Sequence, residues 1–405
     1  MELPALPLPV PGERSSRTIC RYRDQYGPIV PVKLPGGVEA WLVTTYDAVN
    51  EILANDDTLF SKDPRNFPAL HDGTIPADWP MRPLIEGDHL LTKDGDDHRR
   101  LRGLIGRAFT TARVQHLAPR IQALADELLE EMAGEAEPVD LVRHFTEPLP
   151  VTVISELFGV PPAERPQVRA WALQVIGHHL GPEEAARMWA ELLAYLAAHI
   201  ERRHRDPGDD LTTALIRARE EDGDRLSAEE MLWILWLVLL SGHETTVHLI
   251  GNAVIALCRD PAQLAKARAQ HAWTQVVEET VRCRSSVTSS IFRYTLREVQ
   301  IAGVTVPAGQ ALVIGFGATG TDPARFGPDA ARFDFSRASG THLGFSRGPH
   351  YCLGGPLARL EATIALPSLF SRFPRLRLAV DPEDIVYSPS FITEGPLALP
   401  VILSA

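Results

Sequence analysis

The chain has 405 residues, 45% hydrophobic and 23% charged, the composition of a globular protein able to build a large core. Its net charge of -12 excludes a broad cationic surface and so argues against general nucleic-acid binding, leaving room only for a local basic patch. The four cysteines, Cys20, Cys258, Cys283 and Cys352, form no CxxC pair, which argues against a disulfide framework or zinc site and fits a reducing cytosol.

In chain order, the proline-rich start lacks a basic stretch followed by an apolar one, so no signal peptide is expected. Residues 28–43, with Pro35-Gly36-Gly37 at the centre, predict a β-hairpin. Residues 46–53 have helical periodicity, and 62–92 predict a long irregular loop of the kind that often carries function. From about 97 to 220 the apolar spacing is helical. Ser227 followed by Glu230 is a capping-box signature. It opens a helical stretch expected to run to about Cys258, roughly 45 Å.

Within that helix the longest apolar run, Met231 to Leu240, is too short to span a bilayer, which needs about 20 residues. Asp260-Pro261 starts another helix, and 271–284 a further one. After 290 short strands with glycine turns appear, then a long meander, then a helix from about Pro356 to Arg372. The expectation is one mainly α domain over residues 1–405 with a small β part.

Three groups of residues stand out chemically. The segment Phe345-Ser346-Arg347-Gly348-Pro349-His350-Tyr351-Cys352-Leu353-Gly354 places a cysteine just before a helix. The positive helix end and the backbone N–H groups there stabilise a thiolate. The plainer alternative for a lone cysteine is a buried structural thiol. Ser241-Gly242-His243-Glu244-Thr245 sets polar groups in the middle of an apolar helix, a local conflict expected at functional sites. His243-Glu244 opens like a zinc-protease motif, but the second histidine, His248, is at i+5 and off the same face. Glu279 and Arg282, at i and i+3, are neighbours on one helix face.

The cysteine segment resembles the haem-binding loop of cytochromes P-450, and the other motifs fall in the family's order over nearly the whole chain. The resemblance implies the family's fold, with haem b (iron protoporphyrin IX) between a long central helix and the cysteine loop with its following helix. It implies Cys352 as the iron ligand, whose thiolate favours O–O cleavage. It implies Phe345, Gly348 and Gly354 as the haem-facing residues of that loop, and His98, Arg102, Arg293 and His350 as propionate partners. Glu244 and Thr245 correspond to the oxygen-activating pair, with Gly242 leaving room for dioxygen; Ser241 stands where the family usually has alanine. Glu279 and Arg282 correspond to the family's structural pair, completed by either Arg332 or Arg337. Gly320-Thr321 depart from the family's usual Asn-Arg.

The implied activity is insertion of one oxygen atom of dioxygen into a small, apolar secondary-metabolite or steroid-like substrate. Electrons would come from a ferredoxin and a ferredoxin reductase drawing on NADPH or NADH. Arg100, Arg107, Arg347 and Arg359 are candidates for the docking patch. By family position, Leu90, Val175, Leu237, Val287, Ile291, Phe391 and Ile392 are expected at the substrate. A monomeric, cytoplasmic enzyme without a membrane or nucleic-acid partner is expected. Oxidative coupling without oxygen transfer, a peroxide-driven reaction and a non-enzymatic haem sensor or carrier are the rival functions. The intact Glu244-Thr245 pair weighs against the peroxide-driven one.

Overall fold

The computed structural model describes residues 5–79, 81–177, 182–221, 226–338 and 340–403. The hairpin forms as the glycine-proline turn dictates: β2 (Ile29–Lys33) pairs antiparallel with β3 (Glu39–Val43), and the extended start adds β1 (Leu6–Pro7) in parallel to β2. With β4 (Phe60–Ser61), β5 (Ser290–Thr295) and β6 (Ala311–Ile314) these make a six-stranded sheet ordered β1-β2-β3-β6-β5-β4. Its middle is dry, for every residue of β6 is buried. Two smaller sheets complete the β part, one of them built on Val139–Asp140, a strand inside the stretch expected to be all helix.

The helices carry the bulk of the core. The region expected as loop, 62–92, holds only short helical turns, at Pro64–Asn66, Pro68–Leu70, Arg82–Glu86 and Leu90–Thr92. It leads into α1 (Gly95–Ala108). Further on, α2 (Pro148–Leu157) packs on the central helix.

The central helix is two helices. α3 (Ala228–Ser241) begins with the expected capping box: Glu230 N–H donates to Ser227 Oγ at 3.0 Å, and Ser227 N–H to Glu230 Oε2 at 2.8 Å. α4 (Glu244–Arg259) follows after a break at Gly242 and His243. Gly242 N–H still reaches Val238 O, whereas the N–H groups of Thr246 and Val247 both converge on His243 O.

The break has a chemical cause. The Ser241 and Thr245 hydroxyls each donate to the carbonyl four residues back, at 2.7 and 2.9 Å, and such back-bonding bends helices. The whole run Ala228–Arg259 is long and apolar enough to cross a membrane, but most of it is buried inside the protein. From Thr246 to Leu257 α4 is covered on every side, the pattern of a core helix. It packs on α5 (Trp273–Cys283) and α6 (Gly355–Arg372).

Candidate active site

Cys352 opens the site. Its backbone N–H donates to Phe345 O at 2.9 Å, closing the loop on itself. Packing around the thiol raises its pKa, and hydrogen bonds from the Gly354 and Gly355 N–H groups oppose that rise. Those N–H groups stand at the start of α6, where the helix dipole also favours negative charge.

The two loop glycines serve different ends. Gly348 has φ +73°, and a Cβ there would meet Leu53 O at 2.8 Å. Gly354 has an ordinary helical backbone, and a Cβ there would come no closer than 3.9 Å, to Cys352 Sγ. So Gly348 is required by the turn itself, whereas Gly354 keeps space beside the sulfur.

Cys352 and the helix break face one cavity of about 290 Å³, far above the roughly 10–15 Å³ a single water needs. Gly242, Ser241, Thr245, Phe345, Arg102 and His350 line it. Glycine at 242 has a packing reason as well, because a Cβ would lie 2.6 Å from Val238 O and 2.8 Å from Ile154 Cδ1 of α2. Thr245 gives its hydroxyl proton to Ser241 O, so its oxygen meets the cavity as an acceptor. Glu244 is turned away and buried. Thr393 Oγ1 donates to its Oε1 at 3.3 Å, and Oε2 has no partner among the described residues. Burial raises the Glu244 pKa to about 7.

On the cavity's flank lie the expected propionate partners. His98, on α1, is fully buried, and its ring stands 4.2 Å from that of His350. His98 Nε2 and both ring nitrogens of His350 lack partners among the described residues. Burial lowers the His98 pKa to about 4 and holds His350 neutral as well. Arg102 donates to Tyr351 O at 2.6 Å.

Arg293 is buried in a two-pronged pair with Asp56, at 2.6 and 3.0 Å. Beside it is a residue the sequence gave no reason to single out. Lys62 is buried, donates to the carbonyls of Ile291 and Phe292 at 3.0 and 2.9 Å, and has its pKa lowered to about 7, first by burial and then by Arg293. A lysine in a loop is normally solvated, so only the fold reveals it.

These residues fit a haem. The donor set of histidines, arginines and a buried lysine suits a group with two carboxylates, and three orphaned ring nitrogens point to acceptors of that kind. The thiol with two backbone N–H groups suits an iron ligand.

Glu279 and Arg282 form a buried two-pronged pair, both contacts at 2.7 Å. Arg282 also donates to Gly320 O, to Ala330 O at 2.7 Å and to Arg332 O at 3.2 Å. The third side chain is Arg337, whose Nε lies 4.0 Å from Glu279 Oε1. Arg332 offers only its carbonyl, its guanidinium being held by Asp329 and Asp334. Gly320 is required here, because a Cβ would fall 1.6 Å from Arg282 O.

Of the expected substrate residues, Leu90, Leu237 and Val287 line the cavity. Phe391 instead sits in the sheet-side core, with Ile291 and Ile392 packed against it. Backbone bonding sets that orientation, since Thr288 N–H donates to Ile392 O and the hydroxyls of Thr288 and Ser289 to Phe391 O. The Val175 side chain lies outside the described residues. Ile105, Phe109, Leu249 and Ser286 also line the cavity, and nothing in their spacing set them apart from ordinary core. Among the docking arginines, Arg100 pairs with Glu230, Arg347 with Asn50, and Arg359 with Glu278, while Arg107 is exposed.

The family model for cytochrome P450 matches residues 7–168 and 271–398. Cytochrome P450 107B1 of Saccharopolyspora erythraea is 40% identical over 385 residues, 94% of this chain and 93% of that protein. Cytochrome P450 monooxygenase PikC of Streptomyces venezuelae is 39% identical, over 95% of this chain and 90% of that one. Among solved structures, testosterone-bound CYP154C4 from a Streptomyces species superposes with a TM-score of 0.94 at 38% identity, covering 100% of this chain and 99% of that one.

Proposed function

The chain belongs to the cytochrome P450 family, and from that membership we propose that this monooxygenase inserts one atom of dioxygen into a rigid, mostly apolar substrate of steroid or macrocycle size. Its cofactor is haem b, which when bound supplies the activation of dioxygen. The observation that carries the reading is the pairing of Cys352, held by two N–H groups at a helix start, with the Gly242–Thr245 break across the same cavity.

Cys352 would hold the haem iron through its sulfur, and His98, Arg102, Arg293 and His350 would hold the haem carboxylates. Lys62, remote from them in sequence but close enough to Arg293 in space for that charge to lower its pKa, would add a further nitrogen donor to that corner. Thr245, its hydroxyl proton given to Ser241 O, would offer its oxygen as an acceptor into the cavity. Glu244, with a pKa near 7, both holds and releases a proton at neutral pH, the property wanted in a general acid.

Leu90, Leu237 and Val287, with Ile105, Phe109 and Leu249, give the cavity its apolar walls, and the testosterone held by the similar CYP154C4 supports a steroid-sized ligand. A ferredoxin is the proposed electron donor, docking on the face where exposed Tyr351 adjoins Cys352. The deciding experiment is the carbon monoxide spectrum of the reduced protein. The wild type gives the far-red-shifted band of thiolate ligation, and C352S loses it. A C352S protein that keeps the band, or a wild type that shows only the histidine-type band, overturns the reading.

A further inference from the structure

His248 is buried on α4, one turn beyond Glu244, with its Nε2 3.9 Å from Glu244 Oε1. Its other nitrogen, Nδ1, has no partner among the described residues, and neither has Glu244 Oε2. A purely structural core histidine is normally satisfied at both nitrogens or packed as a plain ring. Here one nitrogen faces a carboxyl group and the other faces no polar atom of the described residues.

The ring is given its place by Gly395. A Cβ at that position would lie 2.2 Å from two of the ring's carbons, so the imidazole is seated against bare backbone. Gly395 belongs to a surface hairpin, in which Ser388 N–H donates to Gly395 O and Leu397 N–H to Val386 O. Val386 and Leu397 are well exposed. His248 therefore stands between Glu244 and the backbone of this hairpin. Thr393, on the same segment, donates to the same Glu244 oxygen.

We propose that His248 is a positioning residue for the proton of Glu244: the two form a buried acid–base pair that shares one proton and is refilled from the side of the Ser388–Leu397 hairpin. The inference rests on the reading of Glu244 as the proton donor. In the refilling step Nδ1 of the neutral Nε2–H ring takes a proton from hydronium, releasing water, while the Nε2–H bond breaks and an O–H bond forms on the Glu244 carboxylate. The ring is left neutral as the Nδ1–H tautomer, returns to the Nε2–H tautomer before the next turn, and no electron moves.

The surrounding charges leave the pair to itself. Burial, with a smaller contribution from His243, holds the His248 pKa down to about 4. His243 Nδ1–H donates to Leu239 O at 3.0 Å, and its pKa is likewise lowered to about 4 by burial. On the facing segment the Glu394 carboxylate is turned onto Arg14 and Ser16. On α5, Glu279 and Arg282 neutralise each other. On α6, Glu361 is buried, and burial raises its pKa well above the usual carboxylate value. Beyond α2, Glu147 is matched by Arg169.

The test is an infrared titration of the ferric holoenzyme, with the Glu244 carboxyl band identified by its loss in E244Q. A neutral imidazole is a better acceptor for the carboxyl proton than an amide, so His248→Asn should lower the band's midpoint by about one pH unit or more, the mark of coupled groups. In parallel, pre-reduced protein is mixed with dioxygen in ordinary and heavy water, and H248N should slow by the larger factor in heavy water. An unchanged midpoint overturns the pair; a shifted midpoint with an unchanged isotope factor overturns the refilling. H248Q makes the same comparison if H248N does not fold. The titration reads the carboxyl alone, so a wild type without the red-shifted carbon monoxide band would defeat the preceding reading without touching this result.

Discussion

The rings of His98 and His350 stand 4.2 Å apart, and three of their four nitrogens have no partner among the described residues. His98 comes from α1 and His350 from the cysteine loop, 252 positions later. Two buried neutral imidazoles this close cost stability unless an acceptor reaches both. The doubly substituted H98A/H350A protein should therefore lose haem faster. Each hydrogen bond to a charged group contributes about 1.5–3 kcal/mol, so transfer of haem to an excess of apomyoglobin should speed up by at least about tenfold. A transfer rate equal to that of the wild type would separate these rings from the propionates.

The Glu279–Arg282 pair should behave as a buried ion pair. Removing one partner leaves a buried charge uncompensated, at a cost of about 3–5 kcal/mol. R282A and E279A should both show that loss in urea unfolding of the holoenzyme. R337A should cost much less, because its nitrogen only approaches Glu279 at 4.0 Å. Equal losses in all three would mean that the lock is held by Arg337 as much as by the pair.

Thr245→Ala removes the hydroxyl that accepts toward the cavity, while Thr245→Ser keeps it. With a ligand that shifts the ferric spin state, T245A should consume reduced cofactor but form product slower, by of the order of 10²-fold, the scale of a lost proton-handling group. The reducing equivalents should appear as hydrogen peroxide. T245S should recover most of the product. Unaltered product yield in T245A would remove Thr245 from the chemistry.

Glu244 makes a pH-dependent contribution to stability whose sign is fixed. Burial raises its pKa from 4.5 to about 7, so between those values the folded chain keeps a proton that the unfolded chain has released. Stability is then full below pH 4.5 and falls as pH rises through 7, by roughly 3 kcal/mol for a shift of this size. E244Q escapes the loss. Its advantage over the wild type should be absent at low pH and greatest above pH 7 in denaturant titrations. A pH-independent difference between the two proteins would show that Glu244 is not held protonated.

Where chemistry needs contiguous residues, it was legible. The Phe345–Gly354 loop, the Ser227–Glu230 capping box and the Pro35–Gly37 turn each depend on spacings of a few residues, and each formed where expected. The break at Gly242–His243 was not read from the chain, because the hydroxyl back-bonds of Ser241 and Thr245 compete with a ladder that propensity alone favours. Ile291, Phe391 and Ile392 lie in the expected segments yet pack with the sheet-side core, because hydrogen bonds from Thr288 and Ser289 to the Phe391 and Ile392 carbonyls, remote in the chain, fix their placement.

The amino-acid order alone determined the cysteine loop, the acid and hydroxyl of the central helix and the i, i+3 ion pair, because local geometry brings those groups together whatever the rest of the chain does. Folding decided the rest. Asp56 with Arg293, Lys62 with the Ile291 and Phe292 carbonyls, and Arg282 with Gly320 join residues 38 to 237 positions apart. Whether such polar groups are charged, paired or exposed depends on the water left around them, and only packing sets that.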